Sequence, residues 1–168
     1  MRALLIVAAL LAAGPAPLMV LAGDGVRVGA ARATFGRTPK AQATALVAGA
    51  LGPPVKQGSH GDCGGADIQT YATFRGGFEL SFVHGRLVGW TEDGAGLATD
   101  QGVRVGQTLA AVRRAYPDID VEDSDEDSGG LGAQFGRDGG PDGWLAGKHP
   151  GPASKVLGLW SGQTCIAG

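Results

Sequence analysis

Alternating apolar and polar residues predict a strand over 78–83, in which every second residue faces a core. The β-prone run at 68–74 predicts a strand before it, and residues 86–91 predict a strand after it. His84 and Gly85 supply a two-residue hairpin turn between the last two runs. The pattern therefore predicts a three-stranded antiparallel meander, and its central core positions are Phe78, Leu80 and Phe82.

A helix is predicted ahead of this meander. Thr38 and Pro39 are typical of an N-cap and a first helical position, and residues 40–51 are rich in Ala, Leu and Gln before Gly52 ends the helix. Residues three or four apart share one side of a helix, so they predict a buried stripe. The predicted stripe comprises Ala41, Ala45, Ala48 and Leu51.

The second half repeats this order with weaker signals. Thr108 predicts the cap of a shorter helix that ends before Pro117, followed by strands at 131–135, 144–146 and 155–161 with glycine-rich connections. The predicted buried face of this helix comprises Leu109, Val112, Ala115 and Tyr116.

Short repeats indicate that the two halves are related. The pentapeptide at 25–29 recurs unchanged at 102–106, at a sequence offset of 77. Two other similarities agree on an offset of 70, and we prefer this register; they pair 35–38 with 105–108 and 87–90 with 157–160. The sequence therefore predicts an α+β protein of two tandem helix-plus-antiparallel-meander units, 23–100 and 101–168, which form one compact domain.

The N-terminus has the pattern of a secretory signal peptide. Arg2 supplies a positive charge, residues 3–13 are an unbroken apolar run, and a Val-x-Ala sequence ends at Ala22. The eleven-residue run spans roughly 17 Å as a helix, which is short of the ~30 Å hydrocarbon core of a bilayer. We therefore expect residues 1–22 to be removed and a mature periplasmic or secreted chain that is not inserted in the membrane.

The cysteine content fits an oxidising compartment. Cys63 and Cys165 are the only cysteines, and they lie 102 positions apart. An even number of cysteines in an exported chain predicts a disulfide, which would stabilise the fold by up to ~4.7 kcal/mol in the chain-entropy model. Residues 163–166 are expected to carry the last strand toward Cys63. The alternative interpretation is a catalytic Cys63 thiol beside His60.

The chain also resembles a known superfamily. Gly-x-Thr opens both predicted helices, at 36–38 and 106–108, and each helix precedes an antiparallel meander in a duplicated, exported chain. In these features it is similar to the superfamily of β-lactamase inhibitor protein and to the outer-membrane assembly lipoproteins of the SmpA/OmlA type. The resemblance implies a helix-plus-sheet repeat that binds other proteins through its sheet face or loops and performs no catalysis.

Acidic residues are concentrated in one part of the chain. The tract 118–127 contains seven acids and no base, although the formal net charge of the whole chain is only −2. The spacing of Asp123, Asp125 and Asp127 resembles the start of a calcium loop. Because Ser128 and Gln134 stand where such a loop has Gly and Glu, we expect a solvated loop, with these three aspartates as weak metal candidates.

Tryptophans are the candidate binding residues. Trp90 and Trp160 are separated by the preferred offset of 70, which predicts equivalent positions that either fill the core or form a protein-binding surface. Trp144, between glycine-rich segments, is predicted to be an exposed anchor.

The sequence lacks the familiar catalytic and ligand-binding motifs. It has no Gly-x-Ser-x-Gly elbow, no His pair with zinc spacing and no glycine-rich nucleotide loop. We therefore expect a non-enzymatic protein-binding module of the cell envelope, without a cofactor, that binds another envelope or secreted protein and no nucleic acid. The alternative is a small secreted hydrolase or ligand-binding protein that uses the His60/Asp62 region.

Overall fold

The structure is a computed structural model, and it describes residues 18–61, 68–124 and 132–165. Within these residues the chain forms two helices, α1 (Lys40–Leu51) and α2 (Leu109–Ala115). The strands of the first half are β1 (Met19–Ala22), β2 (Gly25–Val28), β3 (Ala31–Thr34), β4 (Lys56–His60), β5 (Gln69–Thr73), β6 (Phe78–Val83), β7 (Arg86–Glu92) and β8 (Ala98–Thr99). The later strands are β9 (Asp120–Glu122), β10 (Gln134–Gly136), β11 (Asp142–Leu145) and β12 (Val156–Gly162).

The strands form two sheets. The smaller sheet has the order β3-β2-β1-β8, and the larger has the order β4-β5-β6-β7-β12-β11-β10-β9. The larger sheet therefore consists of two four-stranded antiparallel meanders that meet where β7 pairs with β12. A helix precedes each meander in the chain, so the predicted mixed α+β class is confirmed.

The same backbone contacts join helix and meander in both halves. The amide of Lys40 donates to the carbonyl oxygen of Gly85, and the amide of Leu109 donates to that of Ser154. The bridge between Pro39 and Arg86 likewise has a counterpart, which lies between Thr108 and Lys155. All four residues of the second half lie 69 positions after their counterparts, one fewer than the spacing read from the sequence.

The central strand of the first meander is confirmed. Phe78, Leu80 and Phe82 are completely buried, and Val83 pairs with Arg86 across the predicted two-residue turn. The backbone of both turn residues has a positive φ, 48° at His84 and 72° at Gly85, which fits the tight turn of a two-residue hairpin.

The first helix lies where the sequence predicted it, but its cap and buried side differ. Pro39 is the N-cap and makes no side-chain capping bond, whereas the Thr38 hydroxyl accepts a hydrogen bond from the amide of Thr34. The fully buried residues are Ala43 and Val47, and the predicted stripe residues Ala41 and Ala45 are exposed. Because alanine is abundant on every side of this helix, the apolar pattern did not define its buried face.

The second helix agrees more closely with its prediction. Thr108 is the N-cap, and its side chain accepts a hydrogen bond from the amide of Ala111. Leu109, Val112 and Tyr116 are buried, while Ala115 is only partly buried.

Several strands were not predicted from the sequence. The first meander has an additional edge strand, β4, and the second has the additional edge strand β9 within the acidic tract. β12 ends at Gly162, so residues 163–165 do not extend it, and Ile166 lies outside the described residues. Edge strands pair on one side only and are rich in polar residues here, so they lack the alternation that marks a half-buried strand.

β1 includes residues that the sequence assigned to the predicted leader. β1 pairs with β2 on one side and with β8 on the other, and Leu21 is completely buried. A cut after Ala22 would remove this strand from the middle of its sheet. The 1–22 leader stays a prediction, and a cleavage before Met19 is the one that would keep β1 in its sheet; residues 1–17 lie outside the described residues.

One core joins the two sheets and both helices. Trp90 lies in it with no exposed surface, and its indole nitrogen donates a hydrogen bond of 2.9 Å to the carbonyl oxygen of Ala22. Trp90 therefore holds β1 against the larger sheet and is not available to a partner. Neither helix in the described ranges is long and apolar enough to cross a membrane.

Candidate functional site

The larger sheet has a second face, opposite the core, which we call the outer face. Directly paired residues of antiparallel strands point to the same side, so the pairing places one row of side chains along this face. The row runs across six neighbouring strands and consists of Lys56, Thr73, Glu79, Thr91, Trp160 and Asp142. The outer face is therefore polar and acidic, with an aromatic residue near its centre.

Trp160 on this face is stacked against Trp144. Their ring centroids lie 4.4 Å apart at an interplanar angle of 33°. Trp160 is 9% exposed, whereas Trp144 is half-buried. Trp144 thus presents aromatic surface to solvent, although it is less exposed than the sequence predicted.

Trp90 and Trp160 do not occupy equivalent positions. Thr91 pairs with Trp160, and Trp90 pairs with Ser161, so the two tryptophans point to opposite faces of the sheet. A difference of one residue in register moves a side chain to the other face of a strand. At the offset of 69 positions seen in the structure, Trp90 of the first half corresponds to buried Leu159 of the second half, and Thr91 corresponds to Trp160.

Gly158 makes room for the aromatic pair. It lies opposite Trp144 in the pairing of β11 with β12. A Cβ atom at Gly158 would lie 3.0 Å from Asp93 Oδ1 and 3.3 Å from Trp144 Cδ1. The absence of a side chain there lets the Asp93 carboxylate and the Trp144 ring approach each other over bare backbone.

The first of two clefts on the outer face, the Asp93 cleft, lies beside Trp144. Its volume is about 260 Å³, and its lining includes Glu79, Thr91, Asp93, Trp144 and Cys165. Partial burial raises the pKa of Asp93 above its ordinary value, and the negative charge of Glu79 raises it further. The cleft therefore holds two carboxylates that repel each other.

Glu79 is oriented by its own neighbours. Thr73 Oγ1 donates a hydrogen bond of 2.7 Å to Glu79 Oε2, and His60 Nε2 lies 3.5 Å from Glu79 Oε1. The His60 ring is also stacked on Tyr71, with 4.4 Å between the ring centroids. His60 is thus held over the sheet next to Glu79, while Asp62, its predicted catalytic companion, lies outside the described residues.

The second cleft, the Asp142 cleft, lies on the other side of the tryptophan pair. Its volume is about 420 Å³, and Trp160 forms part of its wall. The carboxylates that line it belong to Asp120, Glu122, Asp138 and Asp142. Burial raises the pKa of Asp142, against a smaller lowering by the hydrogen bond that its carboxylate accepts from the amide of Arg137.

Among the described residues, Arg137 is the one cation in the lining of the Asp142 cleft, and it contacts Asp118 and Tyr116. Its Nη2 donates to Asp118 Oδ2 at 3.1 Å, and its guanidinium lies 5.0 Å from the centroid of the Tyr116 ring. Arg137 therefore neutralises only part of the charge of the cleft.

The three weak metal candidates, Asp123, Asp125 and Asp127, are only partly within the described residues. Asp123 lies 2.7 Å from Nδ1 of His149, while Asp125 and Asp127 lie outside the described ranges. Within the described ranges no group of three or more metal-ligating side chains occurs.

Cys165 lies on the outer face, in the wall of the Asp93 cleft. The segment before it is fixed to the sheet, because Gln69 Nε2 donates a hydrogen bond of 2.8 Å to the carbonyl oxygen of Gln163. Cys165 is not a free thiol, and Cys63 lies outside the described residues. The pairing of these two cysteines remains a prediction.

The chain is expected to contain the Cys63–Cys165 disulfide when it is isolated from an oxidising compartment. After thiol blocking without reductant, its intact mass should be lower than that of the reduced chain by two hydrogens, with no blocking group added. A chain that carries two blocking groups would contradict the pairing. If no blocking group is added, peptide mapping of the unreduced chain distinguishes a bond within one chain from a bond between two chains.

Sequence reasoning identifies the tryptophans of this site and, within the acidic tract, Asp120 and Glu122, but not Glu79, Asp93 or Asp142. The sequence predicts Glu79 only as a polar position of an alternating strand, and it places Asp142 in a connection. The two-residue spacing of Asp142 and Trp144 carried a usable signal, because residues i and i+2 of a strand share a face. Asp93 lies beyond the end of β7, so only the folded chain brings it to Trp144.

Comparisons with known proteins add a fold likeness. The crystal structure of the uncharacterized protein YfeY from Escherichia coli matches with a TM-score of 0.53 and 15% sequence identity. The match covers 85% of this chain and 96% of that chain, and at this identity it shows the fold alone. No family model matches the chain, and no match is found among curated proteins.

Proposed function

We propose that this chain is a non-enzymatic protein-binding module of the periplasm or of the secreted fraction, and that it binds its partner through the outer face. The observation that carries the proposal is the stacked pair of Trp144 and Trp160 between two open clefts. Tryptophans held by packing lose little side-chain entropy on binding and often dominate the affinity of interfaces.

We also propose that the fold arose from two tandem units, each a helix followed by an antiparallel meander. The two meanders meet through their last strands, and the contacts that fix each helix recur at an offset of 69 positions. Such a duplication supports the proposed function, because it produces a sheet twice as wide as one unit could provide. Trp160 lies on a strand at the junction, and Trp144 lies on the next strand.

Replacement of Trp144 by alanine is expected to reduce binding of the natural partner at least tenfold, because truncation of a central interface aromatic costs about 2 kcal/mol or more. The measurement is quantitative capture from an envelope extract by immobilised wild type and Trp144→Ala, with the captured protein identified and its affinity then measured directly. Thermal unfolding of both chains would verify that each is folded.

The matched control is Leu18→Ala. Leu18 is 74% exposed and belongs to the segment of the smaller sheet, so its truncation removes apolar surface away from the outer face. Leu18→Ala should capture the partner as well as wild type does. Equal capture by all three chains would refute the proposed role of the tryptophan pair.

A further inference from the structure

The charges around the tryptophan pair indicate the chemistry of the partner. Carboxylates lie on both sides of the pair, with Glu79 and Asp93 in one cleft and Asp142 among the acids of the other. The described residues that line the Asp93 cleft include no lysine or arginine, and Arg137 in the other cleft is bound to Asp118. An occupant with positive charge would therefore meet complementary charge on both sides.

The Asp93 cleft combines the two groups that bind a primary ammonium or a guanidinium group. Asp93 Oδ1 and Trp144 Cδ1 lie 3.0 and 3.3 Å from the same point above Gly158. An aromatic face attracts a cation, and an adjacent carboxylate accepts its hydrogen bonds. Asp93 and Trp144 already lie on either side of Gly158 in the free protein, so these two side chains need little rearrangement when a cation binds.

The Asp142 cleft provides a second acidic position at a suitable distance. β11 and β7 are separated by β12, and adjacent strands lie about 4.8 Å apart, so Asp142 lies roughly 10 Å from Thr91 on β7. Asp93 follows Thr91 by two residues at about 3.3 Å per residue, so the backbones of the two aspartates lie roughly 12 Å apart. An extended segment of about four residues spans a similar distance. A metal ion or a small amine would reach one cleft only, whereas a polypeptide would reach both.

We infer that the outer face binds an extended basic segment of a partner protein, with one lysine or arginine side chain in the Asp93 cleft, another in the Asp142 cleft, and the segment lying over Trp144 and Trp160. This inference rests on the proposed function and specifies the partner's chemistry. The raised pKa values of Asp93 and Asp142 are consistent with it, because partial burial disfavours the charged form of both carboxylates and a bound cation would offset that effect.

The probe for this inference is a decalysine peptide, compared with decaglutamate, with a neutral Gly-Ser peptide of the same length and with chitohexaose. Binding is measured by calorimetry and by the change in tryptophan fluorescence at low and moderate salt. We expect decalysine alone to bind and to alter the fluorescence, and we expect its affinity to fall as salt increases.

The variants are Asp93→Asn and Asp142→Asn, with Asp24→Asn as the matched control. Each substitution removes one carboxylate and keeps the size of the side chain. Asp24 lies beside the smaller sheet, away from the outer face, and forms an ion pair with Arg32. The two site variants should each weaken decalysine binding at least tenfold, whereas Asp24→Asn should change it less than twofold. Removal of partly desolvated carboxylates should not impair folding, and thermal unfolding verifies this for every chain.

Equal loss of affinity in all three variants would show a general attraction to an acidic protein and would overturn the inference. Tighter binding of decaglutamate, the Gly-Ser peptide or chitohexaose would also overturn it, and it would assign the face to another ligand class. If Trp144→Ala loses the natural partner while decalysine does not bind wild type, the proposed function stands and this inference fails. If decalysine binds as expected but the partner is captured independently of Trp144, the proposed function fails instead.

Discussion

A chain that begins at Gly23 is expected not to fold cooperatively, whereas a chain that begins at Leu18 is expected to fold. The shorter chain lacks β1, and with it the completely buried Leu21 and the 5% exposed Met19. Loss of one buried leucine or methionine side chain already costs about 2–5 kcal/mol. The total loss is therefore comparable with the whole stability of a typical domain, about 5–15 kcal/mol.

Hydrogen bonding adds to this loss. Without Ala22, the indole nitrogen of Trp90 loses its acceptor in the core, and an unsatisfied buried donor costs about 1–3 kcal/mol. β2 and β8 also lose their pairing partner, because β1 lies between them. The smaller sheet would then consist of two separated parts.

Thermal and denaturant unfolding of the two chains measures the effect. Leu21→Ala in the longer chain should lower stability by about 2–5 kcal/mol, whereas Val20→Ala, at a half-buried position of the same strand, should have a smaller effect. Any processed form of the chain is expected to begin at or before Met19. A Gly23 chain that unfolds cooperatively at the same temperature as the longer chain would show that β1 is dispensable.

The second large effect is expected at Glu92. Its side chain points to the core side of the larger sheet, where the residue is 1% exposed. Burial raises the pKa of Glu92 to about 7, although the amides of Leu97, Gly96 and Gly94 act in the opposite direction. In the unfolded chain the same carboxyl has its ordinary pKa of 4.5.

The direction of the pH dependence follows from these two values. Between pH 4.5 and about 7 the folded chain holds a proton that the unfolded chain has released. The contribution of Glu92 to stability is therefore complete below pH 4.5 and is lost as the pH rises through about 7. At about 1.4 kcal/mol per pKa unit, the loss amounts to up to about 3 kcal/mol.

Glu92→Gln should remove this dependence, because glutamine has a similar shape and no titrating proton. At pH 8 the variant is expected to be more stable than wild type by up to about 3 kcal/mol, and at pH 4 the two should be similar. Denaturant unfolding across this pH range measures the difference. Glu122→Gln removes the same charge from an exposed position and should change stability by less than about 0.5 kcal/mol. An unchanged pH slope in Glu92→Gln would contradict the assignment to Glu92.

Local patterns predicted the elements whose signals are contained in a few neighbouring residues. The alternation around Phe78 and the turn at His84 determined a strand and its hairpin, and the cap at Thr108 determined where α2 begins. The pattern did not define the buried side of α1, because its alanines fit several faces equally well. It also missed β1, which the apolar N-terminus made part of the predicted leader.

The candidate site depended still more on long-range contacts. The sequence predicts equivalent positions for Trp90 and Trp160, although a shift of one residue places Trp90 in the core. It gave no reason to associate Asp93 with Trp144, because Asp93 follows β7, Trp144 lies on β11, and the two meet only over Gly158.

The sequence by itself determined the mixed α+β class, the order of helix and meander in each half and the choice of tryptophans as binding candidates. Only the tertiary structure decided that β1 belongs to the fold, which face each tryptophan occupies, and that acidic clefts flank the stacked pair. The physical reason is that capping, turn formation and alternation act between near neighbours, whereas sheet register and burial are set by strands far apart in the chain.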